Sequence, residues 1–581
     1  MKRQTKETIV FLIIGLLLVI FVIGYRHMQD TKHIDLKGKY IGEAMGKNGK
    51  VKVALSIDDG KITNIEILKN KESKMAQKVF EFIAKNVVKN NSLAVDDVAG
   101  ATRSSKDIKS AISDAIDKAG ITLSTVVNKS QKNKLKDIYT DVVVVGGGGA
   151  GLTASITASA HGADVILVEK LPILGGNTKF ATGGLNAAGT VFQKEKGIQD
   201  SPQKFLEDTL KGGKYKNNVD LVNILAKNSS KIVDWLTNLG MDLSDVGRLG
   251  GSSVDRAHRP KGGAPVGDKL FDTLEKAAKN NGVHIKIATK AEKILYDGNK
   301  VIGIGVKNID GNTYNIYAKS VILATGGFGA NQDMITAYRK DLKNFGTTNS
   351  PGATGDAINL LKDLDVALVD MDQIQIHPTV AFNTNHLITE AVRGNGAILV
   401  NKAGKRFVNE LETRDVVSQA ELSQEGKAAY LIFDENIRKS LKAIEKYYNE
   451  GLLTEATSLK NLASSLEIDP EQLQETVKQY NEYVKLGEDK DFHKKSIKIK
   501  IEKPNFYGIK VAPAVHYTMG GIKINEKAQV INNSGKIIKG LYAAGEVTGG
   551  IHGANRLGGN SLTDITVFGK IAGDSAFENL K

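Results

Sequence analysis

The sequence predicts an α/β protein built around a Rossmann-type sheet, and three observations carry that prediction. Four consecutive valines, Val142 to Val145, read as a buried strand. They run directly into Gly146, Gly148 and Gly151, a G-x-G-x-x-G spacing. A helix-like stretch and a second apolar strand then end at Glu169, 23 residues after the first glycine. Strand, glycines, helix and acid in that order form the dinucleotide-binding pattern. The glycines let a helix N-terminus approach a pyrophosphate, and Glu169 is placed to bond ribose hydroxyls.

A smaller α+β domain is expected ahead of it, over 36–122. In "VKVALSI" the residues Val51, Val53, Leu55 and Ile57 share one face of a strand. "DDGK" turns the chain into "ITNIEIL", and a helix is expected from about Met75 to Val88. Further on, Ile108, Ile112 and Ile116 recur at helical spacing, with Gly120 as a stop. "VNKSQKNKLKD" is polar, Lys-rich and without periodicity, so 123–138 reads as a linker.

The chain has 581 residues, with 79 Lys and Arg against 65 Asp and Glu, a net charge of +14. That excess is spread out and Lys-rich, which argues against nucleic acid and fits an anionic membrane surface or small dicarboxylates. The absence of cysteine excludes disulfides, iron–sulfur clusters and C-x-x-C-H haem attachment, and no metal site is expected. Ile9 to Tyr25 carries no charge over 17 residues, about 26 Å as a helix. Lys2, Arg3 and Lys6 precede it, so residues 1–30 are expected to be a single-pass transmembrane anchor rather than a cleaved signal. The catalytic part would then lie outside the cytoplasm, at the cell membrane.

Three further segments carry a resemblance: "GGNTKFATGGLNAAGT" (175–190), "SVILATGGFGAN" (320–331) and "GLYAAGEVTGGIHGANRLGGNSL" (540–562). With the glycine motif they resemble the flavoproteins of fumarate reductases and succinate dehydrogenases, and particularly the flavocytochrome c-type fumarate reductases, from about Lys136 to the C-terminus. The resemblance implies an FAD domain in two pieces, 139–371 and 518–581, around an inserted α+β capping domain, 372–517, that closes over substrate. It implies FAD contacts from Gly146, Gly148, Gly151, Glu169, Asn177, Thr178, Gly183, Gly184, Thr325, Gly326, Asp356, Glu546, Ser561 and Leu562. Membrane-complex relatives hold FAD covalently through a histidine near the "GGN" position; here Asn177 stands there, which implies non-covalent FAD and a potential favouring alkene reduction.

The same resemblance assigns the chemistry. His516 and Arg556 would hold one carboxylate of a dicarboxylate, and His377 and Thr389 the other, since such a substrate needs donors at both ends. Arg414 would donate the proton, refilled through Glu390 and Arg393. His258 and His552 read as structural. Fumarate reduction to succinate in anaerobic respiration is the activity implied, with urocanate or another enoic acid as alternative. Ile376 and Ala391 stand where a urocanate reductase is expected to carry a tyrosine and an acid, which favours a plain dicarboxylate. A membrane-tethered flavin electron shuttle is the reading of a different class.

"DDVAGATRSS" (96–105) is similar to the acceptor motif of FMN-binding domains, roughly D-x-x-S/T-G-A-T-x-S/T, which exported flavin transferases modify. It implies FMN held by a phosphoester on Ser104, with Thr102 second. Ala99 and Ser104 depart from the commoner residues, and Ser105 as a helix N-cap is the structural alternative. Covalent FMN would replace haems as the electron wire of a cysteine-free chain, fed by a membrane or extracellular donor, through quinol or a flavin shuttle.

Overall fold

Val51, Val53, Leu55 and Ile57 are all buried, as their alternation predicts. In the computed structural model they lie on the central strand of a three-stranded antiparallel sheet, Gly38–Met45, Lys50–Asp58 and Lys61–Lys69. The model describes residues 37–46, 49–70, 72, 74–98, 101–123, 135–384, 386–495, 497 and 499–581. Asp59 and Gly60, both at positive φ, make the tight turn between the second and third strands. Two helices follow, Lys74–Asn90 and Thr102–Ala119. Ile108, Ile112 and Ile116 face inward on the second. A Cβ on Gly42 would fall 2.0 Å from the Ala111 carbonyl, so this helix lies directly on the first strand.

That helix corrects the capping alternative for Ser105. It begins at Thr102, and Ser105 is buried within its first turn, on the stripe shared with Ile108 and Ile112. The expected anchor and most of the expected linker lie outside the described residues. Among the described residues no helix is long and apolar enough to cross a membrane.

The chain divides into two compact units, and the larger holds an eight-stranded sheet. The valine strand, Ile138–Val145, sits inside it, parallel to Val165–Val168 on one side and to Thr313–Leu323 on the other. Ile537–Ala543 joins in parallel beside Thr313–Leu323, so the two distant sequence pieces share one sheet. The helix Gly149–Ala160 follows the glycine turn. The C-terminal helix Asn560–Glu578 packs against it through glycines: Cβ atoms on Gly569 and Gly573 would fall 2.8 and 2.6 Å from the carbonyls of Ala150 and Ala154.

The inserted segment builds its own antiparallel sheet, ordered Ile374–Ala381, Phe506–Thr518, Ala429–Asp434, Ile398–Val400. A separate apolar core with Val392, Leu399, Val417, Leu431, Ile432 and Tyr507 holds it together. Two short helices on this scaffold, Glu390–Gly394 and Arg414–Leu422, carry polar groups back toward the FAD-type sheet.

Candidate active site

The three motif glycines do three different jobs. Gly146 has φ +112, and a Cβ there would meet the Ala324 carbonyl at 2.3 Å. Gly151 brings helix against strand, since its Cβ would lie 1.9 Å from the Gly146 carbonyl. Gly148 has open space where its Cβ would stand and lines a long cavity. An anionic pyrophosphate fits there, at the N-terminus of Gly149–Ala160.

Glu169, Asn177, Thr178, Gly183, Gly184, Thr325, Gly326, Asp356, Glu546, Ser561 and Leu562 line the same cavity with Gly146 and Gly148. Of the expected FAD contacts only Gly151 does not, because its role is packing. Glu169 accepts from the backbone amides of Gly147 and Leu171, both at 2.8 Å, which fixes its carboxylate beside the turn. Asn177 is tied to Glu546 at 3.2 Å and to Asn349 at 2.6 Å. The geometry suits a non-covalent dinucleotide. Lys170, held by Asp356 at 2.9 Å, also lines the cavity, and its place beside the strand-end acid was the one signal for it in the sequence.

At its far end the cavity reaches the inserted domain. His377, Thr389, Glu390, Arg414, His516 and Arg556 all line it. His377 comes from the first strand of the inserted sheet and His516 from its neighbour, so their rings meet edge to face at 5.1 Å. Thr389 caps the helix Glu390–Gly394, its backbone amide donating to the Tyr447 hydroxyl at 3.1 Å. Arg414 opens its helix, donates from Nε to Glu390 Oε1, and donates from Nη1 to Gln375 Oε1 at 2.8 Å. Gln375 in turn donates to Asn555 Oδ1 and to the Arg556 carbonyl, both at 2.7 Å. It thereby joins the two arginines across the cavity wall. Sequence reading passed over Gln375; its only signal was the i, i+2 spacing that puts it on the His377 side of the strand. Thr348, 2.7 Å from His516 Nδ1, and Tyr517, stacked beneath Arg556 at 4.3 Å, were missed as well.

Residues 141–562 match the family described as FAD binding domain, and residues 46–117 match the FMN-binding domain. A fumarate reductase (cytochrome) of Shewanella frigidimarina is 49% identical over 437 residues, 75% of this chain and 76% of that one. This chain belongs to the fumarate reductase flavoprotein family. A urocanate reductase of Eggerthella lenta is 36% identical over 559 residues, 92% of each chain. Among solved structures, the open conformation of a flavocytochrome c3 fumarate reductase superposes with a TM-score of 0.66 at 44% identity, covering 76% of this chain and 78% of that one.

As a fumarate reductase-family flavoprotein, the chain binds FAD in the larger unit and carries an FMN-binding domain ahead of it. The electrostatics of the site follow from crowding cations in a dry space. Burial, then Arg414, Arg393 and Arg556, push the His377 imidazole well below its usual range. Burial and Arg414 do the same to His516. Both act as neutral imidazoles. Burial alone would raise the Glu390 carboxyl, but Arg414, Arg393 and Arg556 outweigh it and hold it at about 2. Burial and the nearby Arg414 cation lower Arg556 to about 10.

Three of the residues singled out in the sequence stand outside the cavity lining. Arg393 does not line the cavity; it is enclosed in the inserted domain, with Nη1 on the Glu410 carbonyl at 2.6 Å. Ile376 and Ala391 do not line it either. Ile376 packs with Phe328, Ile335 and Val515, on the opposite side of the strand from His377, and Ala391 packs in the inserted domain's core. Substrate choice therefore has to be read from the lining residues.

Proposed function

We propose that the chain reduces fumarate to succinate, taking electrons through FMN to FAD, on the outer side of a membrane to which Ile9–Tyr25 tethers it. The observation that carries this reading is the shared cavity: neutral donors and two arginines at one end, a dinucleotide cradle at the other. His516 and Arg556 bind one carboxylate, His377 and Thr389 the other, and the double bond is held in a near-attack position. Reduced FAD, when bound, supplies the hydride to one alkene carbon. Arg414 gives its proton to the other carbon, so succinate leaves with both charges and Arg414 is left neutral until Glu390 helps restore it. Arg556 and the donors stabilise the charge that develops on the carboxylate.

FMN is carried by a phosphoester on the first turn of Thr102–Ala119, installed by an exported flavin transferase. Thr102 is exposed, Ser104 half-buried and Ser105 buried, so exposure ranks Thr102 ahead of Ser104 as acceptor. The donor to FMN is a membrane quinol route or a flavin shuttle. Steady-state oxidation of reduced viologen with fumarate, urocanate and acrylate tests the reading. Fumarate should exceed urocanate by roughly two orders of magnitude in kcat/KM, the worth of a lost charge-assisted contact of about 3 kcal/mol. The competing urocanate reading rests on one observation, the end-to-end match to the Eggerthella lenta protein. Turnover of urocanate at or above that of fumarate would establish it.

A further inference from the structure

The loop between the helices Pro202–Gly212 and Val219–Asn238 carries two consecutive residues, Lys214 and Tyr215, at φ +55 and +56. Residues other than glycine avoid that region, and those held there cluster where a chain has a task. The loop is fixed to the segment that leads into Arg556. The Gly213 carbonyl accepts from the Ala554 amide at 2.9 Å, and the Gly212 carbonyl from Asn555 Nδ2 at 3.4 Å. Asn217 Nδ2 donates to the Ile551 carbonyl at 2.9 Å, and the Asn218 amide to the Gly550 carbonyl at 2.7 Å. A Cβ on Gly553 would fall 2.5 Å from the Gly213 carbonyl, so the two loops lie in direct contact.

From this platform the Lys214 ammonium reaches the inserted domain. Its Nζ lies 2.6 Å from Asp415 Oδ2. Asp415 follows Arg414 in the first turn of Arg414–Leu422, where the helix dipole favours an acid. Burial would raise the Asp415 carboxyl, but the bonds from Lys214 and Thr413 hold it below its usual range. Gln375 ties Arg414 to the Arg556 carbonyl within the buried wall. The ion pair is a second tie between the same two segments, made from the solvent side. We propose that Lys214 is a positioning residue: through Asp415 it holds the inserted domain shut and sets Arg414 against Arg556.

The size of the effect follows from the exposure of the pair. Lys214 is 59% exposed and Asp415 30%. An ion pair so placed shifts an equilibrium about two- to fivefold, and stranding a half-buried carboxylate adds to that. The tie therefore biases closure without locking it, which leaves the domain free to reopen for product release. Long-range charge is separable from this role. Lys214 attracts a dianion and Asp415 repels one, so through the field alone their removal would move fumarate capture in opposite directions. Loss of the tie moves both variants the same way.

Lys214→Met, Asp415→Asn and the double variant, each loaded with FAD and FMN, make the test. Either single substitution should lower kcat/KM for fumarate by about three- to tenfold, and the double variant should lose no more than the worse single. Lys214→Arg should keep most of the wild-type value. The chain has no cysteine, so nitroxide labels on Tyr296→Cys and Leu486→Cys, both exposed positions, report the spacing of the FAD-type sheet and the inserted domain without turnover. Lys214→Met in that background should move part of the pulsed-EPR distance distribution into a second population. Unchanged distances, opposite effects of the two single variants on kcat/KM, or additive losses in the double would each overturn the proposal. The kinetic arm rests on the fumarate reading and the distance arm does not. Protein that leaves fumarate unreduced, while Lys214→Met still shifts the distances, would sink that reading and keep the tie.

Discussion

The backbone N–H of Thr379 donates to His377 Nδ1 at 3.3 Å, which fixes the proton of that imidazole on Nε2. Nε2 is the nitrogen on the Glu390 side, 3.7 Å from Oε1, in the cavity wall. Burial among three arginines keeps the ring neutral. His377 is thus a fixed neutral N–H donor on the cavity wall, and under the proposed reaction it would meet a substrate carboxylate without a charge of its own.

That arrangement makes a prediction about pH. His377→Ala should raise KM for fumarate by about ten- to a hundredfold, the worth of a hydrogen bond to a charged group. Wild-type kcat/KM should show no break near 6.5 that the substitution removes, because the folded-state imidazole titrates well below that value. Steady-state kinetics from pH 6 to 8 on both proteins would decide it. A break near 6.5 that disappears in the variant would mean His377 binds as a cation.

Arg414 and Arg556 should fail differently. Arg414→Ala leaves His377, Thr389, His516 and Arg556 in place, so KM changes modestly while kcat falls by about 10²–10⁴. Arg414→Lys keeps a cation but loses the planar fork that spans Glu390 and Gln375, so it should do little better. Arg556→Ala should impair binding and turnover together. FAD reduction by dithionite should proceed in all three variants. An Arg414→Ala protein with most of its kcat would reduce Arg414 to a structural role.

The elements with strong local signals were legible without coordinates. Val142–Val145 with its glycines, and the alternation from Val51 to Ile57, each encode strand and face in consecutive residues. His377, Thr389, His516 and Arg556, all on the cavity wall, could be named from the sequence because each sits in a motif that the family resemblance supplies. Gln375 could not, because its value lies in bonds to Arg414 and Arg556, 39 and 181 residues away. Ile376 stands apart for a different reason. Adjacent in sequence to His377, it faces the other side of the strand. Arg393 fits the motif as a neighbour of Glu390, yet its side chain turns inward to Glu410.

Protein made with an exported flavin transferase should carry one acid-stable FMN and one acid-extractable FAD. Peptide mass spectrometry should place the FMN on Thr102 or Ser104, and Thr102→Ala and Ser104→Ala each test one hydroxyl. Ser105→Ala should leave FMN content unchanged, since that hydroxyl is buried. An unmodified 96–105 peptide from active protein would exclude the phosphoester.

Glu546 gives a stability test that does not depend on catalysis. Burial raises its carboxyl to about 7, against the opposing bonds from Thr518 and Asn177 and the charge of Arg556. A carboxyl raised in the folded state is protonated there while the unfolded chain has already ionised. Its contribution is therefore full below about 4.5 and is lost as pH climbs toward about 7. The shift corresponds to roughly 3 kcal/mol. Glu390 works in the opposite direction and lower down, losing its contribution as pH falls from 4.5 toward about 2, so the two windows do not overlap. Glu546→Gln keeps a neutral group of the same shape at every pH. Urea denaturation of FAD-free protein should show the stability of wild type relative to the variant falling by about 2–3 kcal/mol between pH 5 and pH 8. Glu169, also raised by burial, adds a slope of the same sign to both proteins and cancels in the comparison. A difference that stays flat over that interval would mean Glu546 is ionised throughout, held as a carboxylate by the Thr518 amide and Asn177.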